Sequence, residues 1–253
     1  MNILVTGAKG FVGRNLVAQL KTIAEGKNKS YGDITIGEIF EYDIDSTSEE
    51  LDDYCRRADF VYNLAGVNRP QNVEEFMQGN FGFASTLLDT LQKHNNTCPV
   101  MLSSSIQATL VGRYADGEYG KSKKAGEEII TQYGKKNKVK TFIYRFPNLF
   151  GKWCKPNYNS VIATWCYNVS HNLEIMVNDR EKVLELAYID DVCFELIKCL
   201  ENKETRENDF CVVPITYKKS LGEISDLIKS FKEEATGIYV PSTGDKFIKK
   251  LYA

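Results

Sequence analysis

The stretch "NILVTGAKGFVGRNL", residues 2–16, decides the fold. Its first part is a short apolar run that ends in glycine, and its second part places Phe11, Val12, Leu16 and then Leu20 at helical spacing. Between the two, Gly7, Gly10 and Gly13 make a G-x-x-G-x-x-G turn from strand into helix. Glycines there allow a tight turn and close backbone approach, so that the helix N-terminus can face a pyrophosphate. The turn therefore reads as a dinucleotide loop, with Gly7, Gly10, Phe11, Val12 and Gly13 as cofactor-binding candidates. A bare glycine pattern is weak evidence; its position directly after the first strand gives it weight.

Working outward, residues 34–44 read as a second strand, "ELDDYCRRA" as a short helix and residues 59–66 as a third strand. Residues 73–94 carry one long amphipathic helix, and residues 99–108 another strand. A further helix begins at "EYGKSKKAGEEII", and "VKTFIYRFPNLFG" is again a strand running into a loop. Strands that alternate with helices in this way imply right-handed crossovers, hence an α/β, Rossmann-type doubly wound parallel sheet. Beyond about Gly151 the rhythm breaks: a loop and helix, short strands over "EIMVNDREKVLELAYI", the helix "DDVCFELIKCLEN", the strand "DFCVVPITY", and a helix opened by Ser220 and Glu223 at capping-box spacing. Residues 1–150 are thus expected to bind the dinucleotide, and residues 151–253 to form a small C-terminal portion facing substrate. In the last stretch Phe247, Ile248, Leu251 and Tyr252 share one helical face, which either closes this portion or begins a junction to something further.

Composition excludes several classes. A chain of 253 residues with 43% hydrophobic and 26% charged residues fits a globular protein, and a net charge of −2 gives no electrostatic case for a nucleic-acid or membrane partner. Seven scattered cysteines without a Cys-x-x-Cys pair, and an N-terminus without a signal sequence, suggest reduced thiols in a cytoplasm. Two histidines in unrelated contexts, His94 and His171, argue against a metal site.

At the end of the second strand Asp43, with Asp45 behind it, is placed to accept ribose hydroxyls and so suits NAD(H). Lys9 and Arg14 in the glycine loop suit the 2′-phosphate of NADP(H) instead, and the two signals conflict. Ser105 falls at the carboxyl end of a strand, where sites of open α/β sheets lie, and Tyr119 and Lys123 fall one helical turn apart further on. In a chain with fourteen tyrosines, about one Tyr-x-x-x-Lys is expected by chance, so the context must decide. The chemistry needs this set. A carbonyl that accepts hydride develops alkoxide charge that must be protonated, and a neighbouring ammonium is expected to draw the phenol pKa down toward the working range.

Together "TGAKGFVG", "NLAG" at 63–66, Asn80, "SSS" at 103–105, "YGKSK", "RFPNLFG" at 145–151 and "YIDDV" at 188–192 resemble the short-chain dehydrogenase/reductase superfamily, in its extended branch acting on nucleotide sugars. The resemblance implies Ser105, Tyr119 and Lys123 as catalytic residues. It implies Leu64, Ala65, Gly66 and Asn80, with Tyr119 and Lys123, on the cofactor. Dehydratases of this branch place an Asp-Glu pair after the catalytic Ser or Thr; here Ile106 and Gln107 follow Ser105, which leaves a 4-keto reductase or a 4-epimerase. A silent dinucleotide-binding module is the remaining rival, against which both Tyr119 and Lys123 are present.

"LAGVNRP", "SSSIQA" and "RFPNLFGKWCKPNYNSVIATWCY" followed by "VNDR" are similar to the bifunctional reductases of capsular polysaccharide synthesis. That family implies reduction at C4 of a UDP-linked 6-deoxy-N-acetylhexosamine, NADP(H) as cofactor, and a C-terminal cupin domain. The chain stops where that cupin would begin, and the expectation is a reductase domain without it. Asn148, Lys155 and Asn159, then Arg69 and Arg180, are the candidates for the UDP-sugar. The arginine that many extended enzymes place four residues before the "YIDDV" tyrosine is replaced by Leu184, and Asp190 and Asp191 read as helix caps. Helices 73–94 and 119–133 match the pair through which the superfamily commonly forms a homodimer.

Overall fold

The computed structural model describes residues 1–235 and 244–253. The alternation runs as β1 (Ile3–Thr6), α1 (Phe11–Ala24), β2 (Ile39–Tyr42), α2 (Ser48–Arg57), β3 (Phe60–Asn63), α3 (Glu74–Met77), α4 (Phe83–Lys93), β4 (Val100–Ser105), α5 (Glu118–Asn137) and β5 (Thr141–Phe146). It continues as β6 (Asn148–Phe150), α6 (Val161–Ser170), β7 (Val183–Tyr188), α7 (Ile189–Lys198), β8 (Arg206–Glu207), β9 (Phe210–Cys211), β10 (Tyr217–Ser220), α8 (Leu221–Ala235) and α9 (Lys246–Tyr252). The chain divides into two compact units, Met1–Phe146 with Cys193–Val213, and Pro147–Val192 with Pro214–Ala253.

In the first unit the strands lie in the order β2-β1-β3-β4-β5-β9-β8, parallel from β2 through β9. β1 and β3 are buried at every residue, as strands covered on both faces must be. One face packs Leu4, Val61, Val100 and Ile143 against Leu51, Leu87, Leu91 and Ile130 of α2, α4 and α5. On the other, the Tyr62 hydroxyl donates to the Leu196 carbonyl in α7 at 2.9 Å. Because β1 pairs with β2 on one side and β3 on the other, the winding reverses there. The carboxyl ends of β1 and β3 thus form the crevice where ligands of such sheets bind.

Several local expectations are corrected. The strand expected over residues 34–44 shrinks to Ile39–Tyr42, and a turn closed by the Ser46 N–H on the Asp43 carbonyl at 2.9 Å follows it. The single helix expected over residues 73–94 is α3 and α4 joined by a π-helical turn, Gln78–Gly82, which carries Asn80. The strand in "VKTFIYRFPNLFG" ends at Phe146, and where a loop was expected to follow, the chain after Pro147 forms β6 in a different sheet. Pro214 marks a second passage between the units, splitting "DFCVVPITY" into β9 and the approach to β10. Proline has no N–H to give to a ladder, which suits it to both junctions.

The second unit holds a three-stranded sheet, β10-β7-β6, with α6, α8 and α9. Of the short strands expected over residues 174–189 only β7 forms. The capping box at Ser220 and Glu223 is present in both directions, at 2.8 and 3.1 Å. Phe247 is buried, its ring 5.7 Å from Phe150 and 5.3 Å from Tyr217, and Leu251 is buried beside it. The apolar face of the last helix therefore closes its own unit. Asp190 and Asp191 lie inside the first turn of α7 rather than at its cap. There they favour the helix dipole and pair with Lys152 and Lys250 at 2.8 and 2.5 Å.

Candidate active site

The parallel register sets Thr6 beside both Tyr42 and Asn63, so the turns that follow β1, β2 and β3 lie side by side. Gly7 takes φ +65°, a conformation that favours glycine, and an added Cβ would lie 2.8 Å from the Ala65 backbone nitrogen. A Cβ on Gly13 would lie 2.1 Å from the Gly7 carbonyl oxygen, which lets α1 begin hard against the turn. The N-terminus of α1 has no side-chain cap and no acidic residue in its first turn. Backbone N–H groups and the positive end of the helix dipole are therefore left for an anion, and this cradle fits a dinucleotide pyrophosphate. Thr6, which the sequence reading passed over, ties the crevice together: its hydroxyl donates to Asn63 Oδ1 at 2.8 Å and accepts from the Ala65 N–H at 3.3 Å.

Leu64, Ala65 and Gly66 follow β3 directly. A Cβ on Gly66 would meet Asn80 Oδ1 at 2.6 Å and Lys123 Nζ at 3.0 Å, so these three come together. The Asn80 amide, however, is committed to the protein. It accepts from the Val67 N–H at 3.1 Å and donates to the Val67 carbonyl and to Ser122 Oγ, each at 2.9 Å. It acts as a staple from the loop after β3 to α5.

Ser105 closes β4 and caps the turn Ile106–Thr109 by accepting from the Gln107 N–H at 3.2 Å. Gly120 lets α5 settle against that turn, because an added Cβ would lie 2.5 Å from the Gln107 carbonyl oxygen. Tyr119 is thereby brought beside Ser105, whose hydroxyl lowers its pKa, and its ring packs 5.6 Å from that of Phe76. Lys123 lies one turn on, buried, its ammonium 5.9 Å from the Tyr119 ring centre and donating to the Ser103 carbonyl at 2.9 Å. Burial pushes the Tyr119 hydroxyl up to about 12, opposed only by the hydrogen bond with Ser105. Burial also brings the Lys123 ammonium down to about 8, with the Glu127 carboxylate opposing. The downward shift expected for Tyr119 is thus corrected: loss of water around the phenol raises its pKa, and Ser105 alone opposes the rise.

Behind Lys123 lies a buried network that the spacing did not reveal. Glu127 accepts from Ser104 Oγ at 2.5 Å and from both ends of the Arg145 guanidinium at 2.9 and 2.6 Å. Arg145 in turn lies 3.5 Å over the Phe210 ring. These groups come from β4, α5, β5 and β9, so no local pattern links them. One signal was available: Glu127 falls four residues after Lys123, on the same helix face.

Asp43 follows β2 and faces the glycine loop, accepting from the Lys9 N–H at 2.7 Å, while the Lys9 ammonium pairs with Asp45. Arg69 is exposed in the loop after β3. The remaining candidates lie in the second unit. Asn148 donates to the Glu185 carbonyl at 3.1 Å, Lys155 sits 5.7 Å over the Tyr158 ring, and Asn159 is exposed. Arg180 is held at the surface by Asp226 at 2.6 Å. Among the described residues no three or more His, Cys, Asp or Glu side chains group as a metal ion would need, and no helix is long and apolar enough to cross a membrane.

A glycine cradle at the reversal of a doubly wound sheet, with serine, tyrosine and lysine at its carboxyl edge, defines a Rossmann-type domain of the short-chain dehydrogenase/reductase class. The chain belongs to the NAD dependent epimerase/dehydratase family, which matches residues 3–213. Over its whole length it is 35% identical to a UDP-2-acetamido-2,6-beta-L-arabino-hexul-4-ose reductase of Pseudomonas aeruginosa, of which it spans 63%. It is 42% identical, with a TM-score of 0.85, to the crystal structure of the capsular polysaccharide assembling protein CapF from Staphylococcus aureus, again covering all of this chain and 63% of that one. The UDP-glucose 4-epimerase of Thermus thermophilus in complex with NAD shares the fold at 18% identity and a TM-score of 0.71, over 92% of this chain and 84% of its own.

Proposed function

We propose that this chain reduces the C4 keto group of a UDP-linked 6-deoxy-N-acetylhexosamine, in the synthesis of capsular or surface polysaccharide precursors. The observation that carries the reading is the grouping of Ser105, Tyr119 and Lys123 without an acid–base pair after Ser105. Likeness along the whole chain to a reductase of that chemistry supports it. A bound nicotinamide, reduced, supplies the hydride. Ser105 holds the reacting oxygen, Tyr119 gives it a proton, and Lys123 holds the cofactor ribose and a positive charge beside the tyrosine. Burial keeps the Tyr119 hydroxyl protonated, the form that the reductive direction requires. In the first unit Arg69 is kept as a candidate for the sugar diphosphate; in the second unit, taken by itself, the candidates for the nucleotide sugar are Asn148, Lys155 and Asn159. Arg180 is the weakest of the set, since its charge is already met by Asp226. The same reading takes the α4 and α5 faces as a homodimer contact, which sedimentation equilibrium checks, and places the protein in the cytoplasm.

Steady-state assay of the intact chain with a UDP-4-keto-6-deoxy-N-acetylhexosamine and reduced cofactor tests the proposal. The expected result is cofactor oxidation in step with formation of the 4-hydroxy sugar. Inversion at C4 without net oxidation makes the chain a 4-epimerase that retains its nicotinamide. A folded, cofactor-bound chain that does neither overturns the enzymatic reading. Gly120→Ala gives a geometric check. The added methyl must push α5 off the Gln107 carbonyl and part Tyr119 from Ser105, so turnover is expected to fall about a hundredfold. Dinucleotide affinity, read by calorimetry, should fall less than turnover does, because the glycine cradle lies elsewhere and of α5 Lys123 is the main contact with the cofactor.

A further inference from the structure

We propose that Glu127 is a positioning residue of the reaction: tied down from behind by Ser104 and Arg145, it is the fixed counter-charge that holds Lys123 as an ammonium. The inference rests on the reading of Lys123 as a residue of the reductase site, and deepens it. β4 and β5 pair so that Ser104 lies opposite Arg145, and α5 brings Glu127 onto both. The buried carboxylate accepts from the Ser104 hydroxyl at 2.5 Å and from the guanidinium at 2.9 and 2.6 Å. An ionised carboxylate accepts about four hydrogen bonds. Three are spent here, two of them in the forked geometry that fixes the plane of the group. The Phe210 ring covers the guanidinium at 3.5 Å and steadies the fork. Glu127 is therefore held where it stands and does not swing toward Lys123. The lysine, one turn before it, spends one donor on the Ser103 carbonyl at 2.9 Å. An ammonium has three donors, so the others stay open for cofactor and substrate.

Counting charge shows what the carboxylate does. Lys123 and Arg145 bring two positive charges into this region and Glu127 brings one negative charge. An arginine keeps its proton in a protein, whereas a buried lysine gives its proton up. Without Glu127 the region would hold two cations, and Lys123 is the one that would neutralise. The surrounding elements offer no substitute. On α5 itself Tyr119 is protonated at neutral pH, and the loop after β3 and the π-helical turn bring the uncharged Gly66 and Asn80. On α3, Glu74 is exposed and Glu75 accepts from the Gln71 and Asn72 N–H groups at the start of its own helix. α4 meets α5 through apolar side chains such as Leu87, Leu91 and Ile130. Stability alone does not account for the Glu127–Arg145 pair, because neutral groups of the same shape often match or exceed a buried ion pair.

The test follows Lys123 directly and needs no sugar. The intact chain, labelled with carbon-13 at the lysine ε-carbons, is titrated by NMR, with Lys123→Met assigning the resonance; the pH profile of kcat/KM is read beside it. The wild-type midpoint is expected at about 8. Glu127→Gln should lower it by about one pH unit. The alkaline limb of kcat/KM should move with it, a fall of about fivefold at the wild-type midpoint. That variant leaves Arg145 without its partner and can fail to fold, so Glu127→Gln/Arg145→Gln, which replaces the ion pair by two amides, is measured as well. The double variant should regain stability in urea and yet keep the lowered midpoint. Glu127→Asp retains the charge, and its midpoint should stay within about 0.5 of the wild type. An unchanged midpoint in the double variant overturns the proposal and leaves Glu127 as a structural partner of Arg145. So does a Glu127→Asp midpoint as low as that of the glutamine variants. If the midpoints shift as expected but the wild type oxidises no cofactor with a 4-keto sugar, the coupling of Glu127 to Lys123 stands and the reductase reading falls.

Discussion

Tyr119→Phe is expected to lower turnover of the 4-keto sugar by about a thousandfold while leaving dinucleotide affinity within about threefold. The variant keeps the ring, and with it the contact to Phe76, so the helix start and the Ser105 turn have no packing reason to move. What is lost is one proton and one hydrogen bond at the reacting oxygen. With its hydroxyl pushed up to about 12, wild-type Tyr119 is protonated throughout the neutral range and is ready to donate at every turnover in the reductive direction. The reverse reaction, oxidation of the 4-hydroxyl, needs the phenolate and is expected to be slow at neutral pH and to speed up as pH rises. Single-turnover kinetics with bound cofactor separate the chemical step from binding. Retention of more than a tenth of the wild-type rate by the phenylalanine variant would remove Tyr119 from the proposed role.

The parts of this chain that were legible in its sequence are those carried by neighbours in the chain. The turn at Gly7, Gly10 and Gly13, the alternation through β5 and the helical step from Tyr119 to Lys123 depend on periods of two to four residues, which the order of residues alone displays. The parts that escaped depend on what comes near in space. Nothing in "EFMQGNFGF" announces a π-helical turn; it is built where Gly79 runs against Val67, whose Cγ2 a Cβ there would meet at 2.3 Å. The return of Cys193–Val213 to the first unit, and the grouping of Ser104, Glu127 and Arg145, join segments scores of residues apart. The direction of the Tyr119 shift belongs to the same class. The sequence supplies the ammonium four residues away, whereas the burial that sets the direction is supplied by the rest of the fold.

Lys123→Met is expected to abolish most turnover, by a hundredfold or more, and yet to make the protein more stable at neutral pH. The Lys123 ammonium is buried, and its pKa falls from the ordinary 10.5 to about 8 because burial strips it of water faster than Glu127 compensates. A depression of that size corresponds to about 3 kcal/mol set against the charged form. The sign follows from proton counts. Between pH of about 8 and 10.5 the unfolded chain holds a proton here that the folded chain has released, so wild-type stability rises across that window. Below about 8 both states are charged and the whole penalty stands. Methionine, similar in length and without charge, removes it. The gain is reduced by loss of the hydrogen bond to the Ser103 carbonyl, an effect of about 1 kcal/mol. Urea unfolding at neutral pH should therefore favour the variant, and the gap should close as pH is raised toward 10.5. In the wild type, kcat/KM for reduction should fall above about pH 8 as Lys123 loses the charge that its role requires. A variant less stable than wild type by the same amount at every pH would mean that the ammonium is not desolvated, and the alkaline fall in activity would then need another origin. Stability given up at one buried cation, and recovered only by losing the reaction, is what a group kept for chemistry rather than for packing should display.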